Sequence, residues 1–125
     1  MTRSALIGCA LSLVLAAIVT SLLLMPALPG KPFPVPFFDK FVHASMFFSV
    51  ALPAMLGLPA RWAWGVWAVV VAFSGVTELL QPGFGRSAEW ADLAANALGA
   101  ALAVLAARRL RLQAAKVQKR DRAKA

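Results

Sequence analysis

The sequence predicts an all-α integral membrane protein, a four-helix bundle of transmembrane helices with both termini in the cytoplasm. Composition is the first observation behind this fold class. Of the 125 residues 61% are hydrophobic and only 14% are charged, and a soluble domain of this size could not bury that much apolar surface. The second is the presence of four apolar runs of roughly 20 residues, the length that spans a bilayer. The third is that polar residues gather at the ends of these runs.

The first apolar run extends from Ala5 to about Leu28 and contains no charged residue. A cleaved signal peptide is the alternative, but the run is long and lacks a convincing small-x-small cleavage site, so we predict a retained helix. Cys9 is the one cysteine of the chain, which excludes an intramolecular disulfide. Five prolines between positions 26 and 36 then predict an extended loop, because proline interrupts a helix.

The second helix is predicted over residues 38–56 and the third over residues 61–81, since Gly-Leu-Pro and Pro-Gly sequences end these runs. Tryptophans at the start of the third helix are typical of the membrane–water interface. They are Trp62, Trp64 and Trp67.

The fourth helix is predicted over residues 88–107, with Ser87 as N-cap and Glu89 in the first turn. We interpret Glu89 as a residue that complements the helix dipole rather than as part of a site. Residues 108–125 are predicted to be a basic tail whose last ten residues are frayed.

The basic residues set the predicted orientation. Residues 108–125 hold eight of the 13 lysines and arginines and one acidic residue, whereas the remaining 107 residues hold five basic and four acidic groups. Basic residues beside membrane helices mark the cytoplasmic side, so the tail is predicted to be cytoplasmic and to contact anionic lipid headgroups. Four spans return the N-terminus to the same side. We predict no nucleic-acid partner, because the tail lacks interleaved aromatic residues and a recognition fold.

This topology gathers the polar residues of three helices at the outer end of the bundle. They are Asp39, Lys40, His43, Glu78, Gln81, Arg86, Asp92 and Asn96. The spacings i, i+4 within the second helix, i, i+3 within the third and i, i+4 within the fourth give each helix one polar face. Polar faces in lipid turn toward one another, so the sequence predicts a shared polar pocket. Gly99 and Ala103 continue the stripe of the fourth helix with small residues that permit close packing.

The chemistry of individual residues leaves alternatives open. His43, the one histidine, suits a general base or proton relay oriented by Asp39, or a structural hydrogen bond. Glu78 suits catalysis, ligand binding or a structural ion pair with Arg86 or Lys40, because an unpaired carboxylate is costly in a membrane. Arg86 suits a clamp for phosphate, or a contact with lipid headgroups.

A metal site of His43, Glu78 and Asp92 is conceivable. The cluster offers no cysteine and no second histidine. We therefore predict neither a metal nor a cofactor.

The polar residues form an ordered set of motifs along the chain. The set is Asp39-Lys40-x-x-His43, Glu78-x-x-Gln81 and Arg86-x5-Asp92-x3-Asn96-x2-Gly99. Over residues 36–105 this set resembles the VanZ-like family of small bacterial membrane proteins, with Phe47 where a tyrosine is often expected. The resemblance implies a multi-pass protein of the bacterial cytoplasmic membrane and cell envelope, with a VanZ-like transmembrane domain over residues 1–107. It also implies a connection with resistance to teicoplanin-type glycopeptide antibiotics, with which the founding member is associated.

Four functions remain open for such a pocket. The leading hypothesis is binding or modification of an envelope lipid or lipid-linked precursor with a phosphate-bearing head group. The second is a hydrolase or transferase in which His43 is the base, Arg86 holds an anion and water attacks. The third is a structural or interaction protein whose polar cluster only holds the helices together. The fourth, a proton-coupled transporter, is disfavoured because the inner half of the bundle lacks polar residues.

Overall fold

The computed structural model describes residues 1–26 and 36–124, and this part of the chain is helical without strands. The four long helices are α1 Arg3–Leu23, α2 Phe38–Gly57, α3 Ala63–Leu80 and α4 Trp90–Lys124, and short 3₁₀ helices at Ala60–Trp62 and Gln81–Phe84 flank α3. Each long helix, α3 together with its flanking turns, is long and apolar enough to cross a membrane. The predicted fold class, a multi-pass helical membrane protein, is therefore confirmed. The orientation of the termini stays a prediction.

The first helix is shorter than predicted. Thr2 caps its start, where the Thr2 hydroxyl accepts a hydrogen bond of 3.3 Å from the backbone N–H of Ala5. The helix ends at Leu23, so the predicted end at Leu28 is wrong. Pro26 supplies the reason, because proline has no N–H to continue the helix and disfavours the helical conformation of the preceding residue. The extended loop predicted to follow lies largely in residues 27–35, outside the described residues.

Two glycines let α1 and α2 approach closely. A Cβ atom added at Gly8 would overlap the carbonyl oxygen of Pro53, and one added at Gly57 would overlap the carbonyl oxygen of Ser4. Small residues are the usual means of bringing membrane helices together, because lipid tails provide no hydrophobic drive for association.

The ends of α2 and α3 agree with the predicted ranges to within two residues.

Helix α2 packs more extensively against α4 than against any other helix. Gly99 of α4 lies on the backbone of Ala44, whose carbonyl oxygen would overlap a Cβ atom at position 99. Fully buried apolar side chains fill the rest of this contact. They include Phe47, Val50, Ala51, Ala100, Ala103 and Val104. The close packing of α2 and α4 brings the start of α2 beside the start of α4.

The tryptophans of α3 divide into two groups. Trp62 and Trp64 are about half exposed, as the prediction of an interfacial belt expects. Trp67 instead turns toward α4, where its indole N–H donates a 3.0 Å hydrogen bond to the carbonyl oxygen of Ala97. This bond ties α3 to α4.

Helix α4 differs from its prediction at both ends. It begins at Trp90, so Ser87 precedes the helix by three residues, and it continues to Lys124. The predicted end at Ala107 is wrong, and residues 116–124 of the segment that was expected to fray are helical. The segment beyond Ala107 is free of glycine and proline and rich in alanine, leucine, lysine and arginine, the residues with the highest helix propensity.

Arg111 fixes the C-terminal end of α2 to the extended α4. Its guanidinium donates hydrogen bonds to the carbonyl oxygens of Met55 and Leu58, and approaches that of Leu56 at 3.4 Å. The last carbonyls of a helix lack partners within the helix, and a cation there also complements the helix dipole. Arg111 therefore serves as a C-terminal cap supplied by another helix.

Candidate functional site

Three helix ends converge at the end of the bundle opposite Arg111. The first turns of α2 contribute Lys40 and His43, the last turn of α3 contributes Glu78, and the start of α4 contributes Asp92 and Asn96. These side chains form two adjacent groups that share Asp92, the lysine cluster and the histidine cluster. The polar residues predicted to meet from separate helices thus do lie together, with Asp39 at the edge and Arg86 apart.

The lysine cluster consists of Lys40 and the carboxylates of Asp39, Glu89 and Asp92. The ammonium nitrogen of Lys40 lies 2.9 Å from Asp39 Oδ2, 2.6 Å from Glu89 Oε2 and 2.6 Å from Asp92 Oδ1. Its side chain is 20% exposed, so water screens these contacts only in part. Three carboxylates surround one ammonium group, which leaves the cluster with an excess of negative charge.

Glu89 is the site residue that sequence reasoning missed. It was interpreted as a helix-dipole residue, but its carboxylate binds Lys40, and this hydrogen bond holds the pKa of Glu89 below its ordinary value. Its backbone N–H also donates to Glu78 Oε2 at 3.4 Å. Glu89 directly precedes α4 and Asp92 lies in its first turn, and their spacing of i and i+3 was the signal that both carboxylates lie on one side of the chain.

The histidine cluster consists of His43, Glu78, Asp92 and Asn96, each more than nine-tenths buried. Nδ1 of His43 lies 3.1 Å from Asn96 Oδ1 and 3.8 Å from Glu78 Oε1, and Nε2 lies 3.8 Å from Asp92 Oδ2. In the described part of the chain, Asp39 is not among the partners of His43. The expectation that Asp39 orients the ring is therefore wrong, and Asn96 takes that position.

Three buried polar atoms lack hydrogen-bond partners among the described residues. They are Glu78 Oε1, Gln81 Nε2 and Asn96 Nδ2. Buried polar atoms without partners are rare in native proteins, since each costs a desolvation penalty of roughly 1–3 kcal/mol. All three belong to residues predicted for the site, so this end of the bundle has unused hydrogen-bonding capacity for a ligand, an ion or water.

Arg86 stands apart from both clusters. Its backbone N–H donates to the carbonyl oxygen of Gln81 at 3.2 Å, but its half-buried side chain forms no ion pair within residues 1–26 and 36–124. The predicted pairs of Glu78 with Arg86 or with Lys40 are therefore wrong. The turn Gln81–Phe84 is followed by Gly85, whose φ of 74° favours glycine. Arg86 comes directly after this turn, without a carboxylate partner among the described residues.

An apolar groove adjoins the polar clusters. It has a volume of about 430 Å³ and lies between the end of α3 and the start of α4. Its walls are apolar apart from two carboxylates. The lining includes Gly75, Val76, Leu79, Trp90 and Leu93, with Glu78 and Glu89. A molecule in this groove would place an apolar portion along the helices and a polar portion at Glu78.

A second groove, of about 580 Å³, lies between α1, α2 and α3. Its lining is almost wholly apolar and includes Cys9, Leu13, Gly65 and Val66. It contains none of the residues of the two clusters, so it offers no polar group of the site to a ligand.

Comparison with known proteins yields one match. The model of the VanZ/LLP1 family matches residues 10–111, a range that contains both polar clusters and all four transmembrane helices in whole or in part. No curated protein and no solved structure matches the chain significantly. The resemblance found in the ordered polar motifs is thus confirmed, and the chain belongs to the VanZ/LLP1 family.

Proposed function

We propose that this protein binds an envelope lipid or a lipid-linked precursor, and holds it for modification, in the cytoplasmic membrane of a bacterium. The proposal rests on two features of Glu78. This residue lines the apolar groove between α3 and α4, and its buried Oε1 atom has no hydrogen-bond partner among the described residues. An apolar tail in the groove and a polar head group at Glu78 would satisfy both features at once.

The charges around the groove restrict the head group. Glu78 and Glu89 border the groove with acceptor atoms, which favour a head group that carries hydroxyl or amine donors. Arg86 is half-buried and without an ion pair in the described part of the chain, and its planar guanidinium matches the oxygens of a phosphate. We infer a phosphate-bearing head group with donor groups, its phosphate at Arg86 and its donors at the two carboxylates.

The enzymatic form of this proposal needs water as the nucleophile. The hydroxyls of Ser74 and Thr77 donate to carbonyl oxygens of their own helix, Val71 and Ser74 respectively. The hydroxyl of Ser87 is exposed and bonded to Glu89. None of these hydroxyls pairs with His43, so His43 has no side-chain nucleophile to activate in the described part of the site.

A structural or interaction role is the second candidate, and the lysine cluster favours it. Lys40 of α2 bonds to Glu89 and Asp92 at the start of α4, and His43 bonds to Asn96. Such contacts hold helix ends together whether or not a ligand binds. A structural role explains neither the groove nor the buried Glu78 oxygen, which has no hydrogen-bond partner among the described residues. We therefore rank it second.

Filling the groove tests the lipid proposal against the structural one. Gly75 lines the groove, and a Cβ atom there would meet only Leu93 at 4.0 Å, so the backbone has room for Gly75→Leu, which adds bulk to the groove. Gly65→Leu on the same helix fills the other groove and is the matched control. We would measure crosslinking of a photoactivatable phosphatidylglycerol to the purified protein, with the labelled peptide identified by mass spectrometry.

We expect Gly75→Leu to reduce crosslinking to α3 and α4 by about tenfold, which corresponds to 1.4 kcal/mol of lost affinity, while Gly65→Leu matches the wild type. Equal crosslinking in all three proteins would reject the groove as a lipid site.

The glycopeptide connection has a separate test in cells. Teicoplanin susceptibility of a deletion strain should be restored to the wild-type level by the wild-type gene and not by Glu78→Gln at equal protein level.

A further inference from the structure

The geometry points to a divalent metal site formed by His43, Glu78 and Asp92. One donor atom from each residue lies within 4.8 Å of the other two, and all three residues are buried. Two ligands of one zinc ion, each at ~2.0–2.2 Å, are separated by at most ~4.4 Å. Nε2 of His43 lies 3.8 Å from Asp92 Oδ2, which is within this spacing. Glu78 Oε1 lies 3.8 Å from the other ring nitrogen, Nδ1, so side-chain rotations would have to bring the Glu78 oxygen closer to Nε2 for the set to close on an ion.

The hydrogen bond with Asn96 gives His43 a tautomer that can bind a metal. Its Oδ1 atom is an acceptor, so the 3.1 Å contact makes Nδ1 of His43 the donor. The lone pair of His43 is then on Nε2, which lies 3.8 Å from Asp92 Oδ2. Two acceptors that face each other in a buried site repel unless a cation lies between them. Histidines that bind metals almost always donate their other N–H to an oxygen in this way.

An unpaired oxygen of Glu78 is independent support for a bound cation. Its Oε1 atom is buried, lies beside His43 and has no hydrogen-bond partner among the described residues. The other oxygen accepts from the backbone N–H of Glu89, which fixes the carboxylate in the cluster. A carboxylate in a transmembrane helix must be protonated, paired or wet, and a cation at Oε1 would pair it.

Charge balance and donor type restrict the ion. Lys40 neutralises one oxygen of Asp92, at 2.6 Å, and leaves the other oxygen toward His43. The two clusters hold four carboxylates and one ammonium group, so a divalent ion would offset two of the three negative charges that Lys40 leaves uncompensated. One imidazole nitrogen with carboxylate oxygens suits a borderline ion such as Zn²⁺ better than Mg²⁺ or Ca²⁺, which prefer oxygen ligands alone.

The other acidic group at this end does not make a comparable site. Asp39, Glu89 and Asp92 also lie close together, but the ammonium of Lys40 binds all three carboxylates. The proposed ion has only three protein ligands, so it keeps an open coordination position for water or a phosphate oxygen. This departs from the sequence-based prediction of no metal, which rested on the lack of a second histidine or a cysteine.

The test uses the full chain, purified in detergent with its tag removed, dialysed against chelator and titrated with Zn²⁺ by calorimetry. We expect one ion per chain. Glu78→Gln should abolish measurable binding, and Asn96→Ala should weaken it by roughly 10- to 100-fold, the usual effect of losing an outer-shell partner. Asp121→Asn, which removes an exposed carboxylate near the C-terminus, is the matched control and should bind as the wild type does.

X-ray absorption at the zinc edge of the wild-type protein keeps the test decisive if a variant fails to fold. One nitrogen and at least two oxygen neighbours at ~2.0–2.2 Å support the site. A sulfur neighbour would assign the ion to Cys9, and the absence of stoichiometric binding would overturn the proposal. Gly75→Leu should bind Zn²⁺ normally, so the metal proposal and the lipid proposal can fail separately.

Discussion

At the scale of residues, Lys40 is the cation on which the polar end of the bundle depends. Its ammonium contacts carboxylates from α2 and from the start of α4 at 2.6–2.9 Å. Without it, three carboxylates would face one another close to a membrane, where like charges are poorly screened. The same contacts place Glu89 and Asp92 against α2, so Lys40 also positions the start of α4 relative to His43.

Lys40→Met should destabilise the protein by about 3 kcal/mol, because removing one partner of a partly buried ion pair leaves uncompensated charge. Thermal unfolding in detergent, followed by circular dichroism, measures the effect. Lys119→Met removes an equivalent charge from the exposed end of α4 and should leave the midpoint within experimental error. An unchanged midpoint for Lys40→Met would mean that the cluster is fully hydrated and contributes little.

At the scale of helices, the approach of α2 to α4 is decided by Gly99. The backbone of Ala44 occupies the space that a side chain at position 99 would need, and the buried residues on both sides of this contact form the apolar core. The position of His43 beside Asn96 follows from the same contact, since each lies within one turn of it. Packing deep in the bundle thus determines the geometry of the polar end.

Gly99→Ala should lower stability by about 1–3 kcal/mol, the usual cost of overpacking, because the added methyl group overlaps the carbonyl oxygen of Ala44. Gly83→Ala is the matched control, since no atom lies within 4 Å of a Cβ atom there. Both midpoints come from the same thermal unfolding assay. Equal midpoints for the two variants would show that α2 and α4 are not in the predicted close contact.

Sequence reasoning predicted the bounds of α2 and α3 to within two residues, where glycine and proline follow the apolar runs. At the end of α1 it carried the helix past Pro26, although that proline ends it. It failed at the end of α4, where apolar membrane sequence passes into basic sequence without a break in helix propensity. It placed His43, Glu78, Asp92 and Asn96 together, because topology and spacing suffice for that. It did not identify the carboxylates that bind Lys40, or the separation of Arg86 from both clusters, because these depend on the rotation of each helix about its own axis and on the turn before α4.

At the scale of the whole molecule, the bundle has two different ends. One carries the lysine and histidine clusters, and the other carries the Arg111 cap and the basic last turns of α4. With 35 residues at 1.5 Å per residue, α4 is about 52 Å long, well beyond the ~30 Å of hydrocarbon. If the polar clusters lie at one membrane surface, as the sequence predicts, then the basic turns of α4 project past the other.

The positive-inside rule assigns the basic end to the cytoplasm, and cysteine labelling tests this orientation. In a Cys9→Ala background, Ser87→Cys marks the polar end and Lys119→Cys marks the basic end, and both positions are exposed. A membrane-impermeant maleimide should label Ser87→Cys in intact spheroplasts, and Lys119→Cys only after permeabilisation. The reverse labelling pattern would show that the groove and its carboxylates face the cytoplasm. The ligand would then have to come from the inner leaflet, so the orientation determines which lipids can reach Glu78.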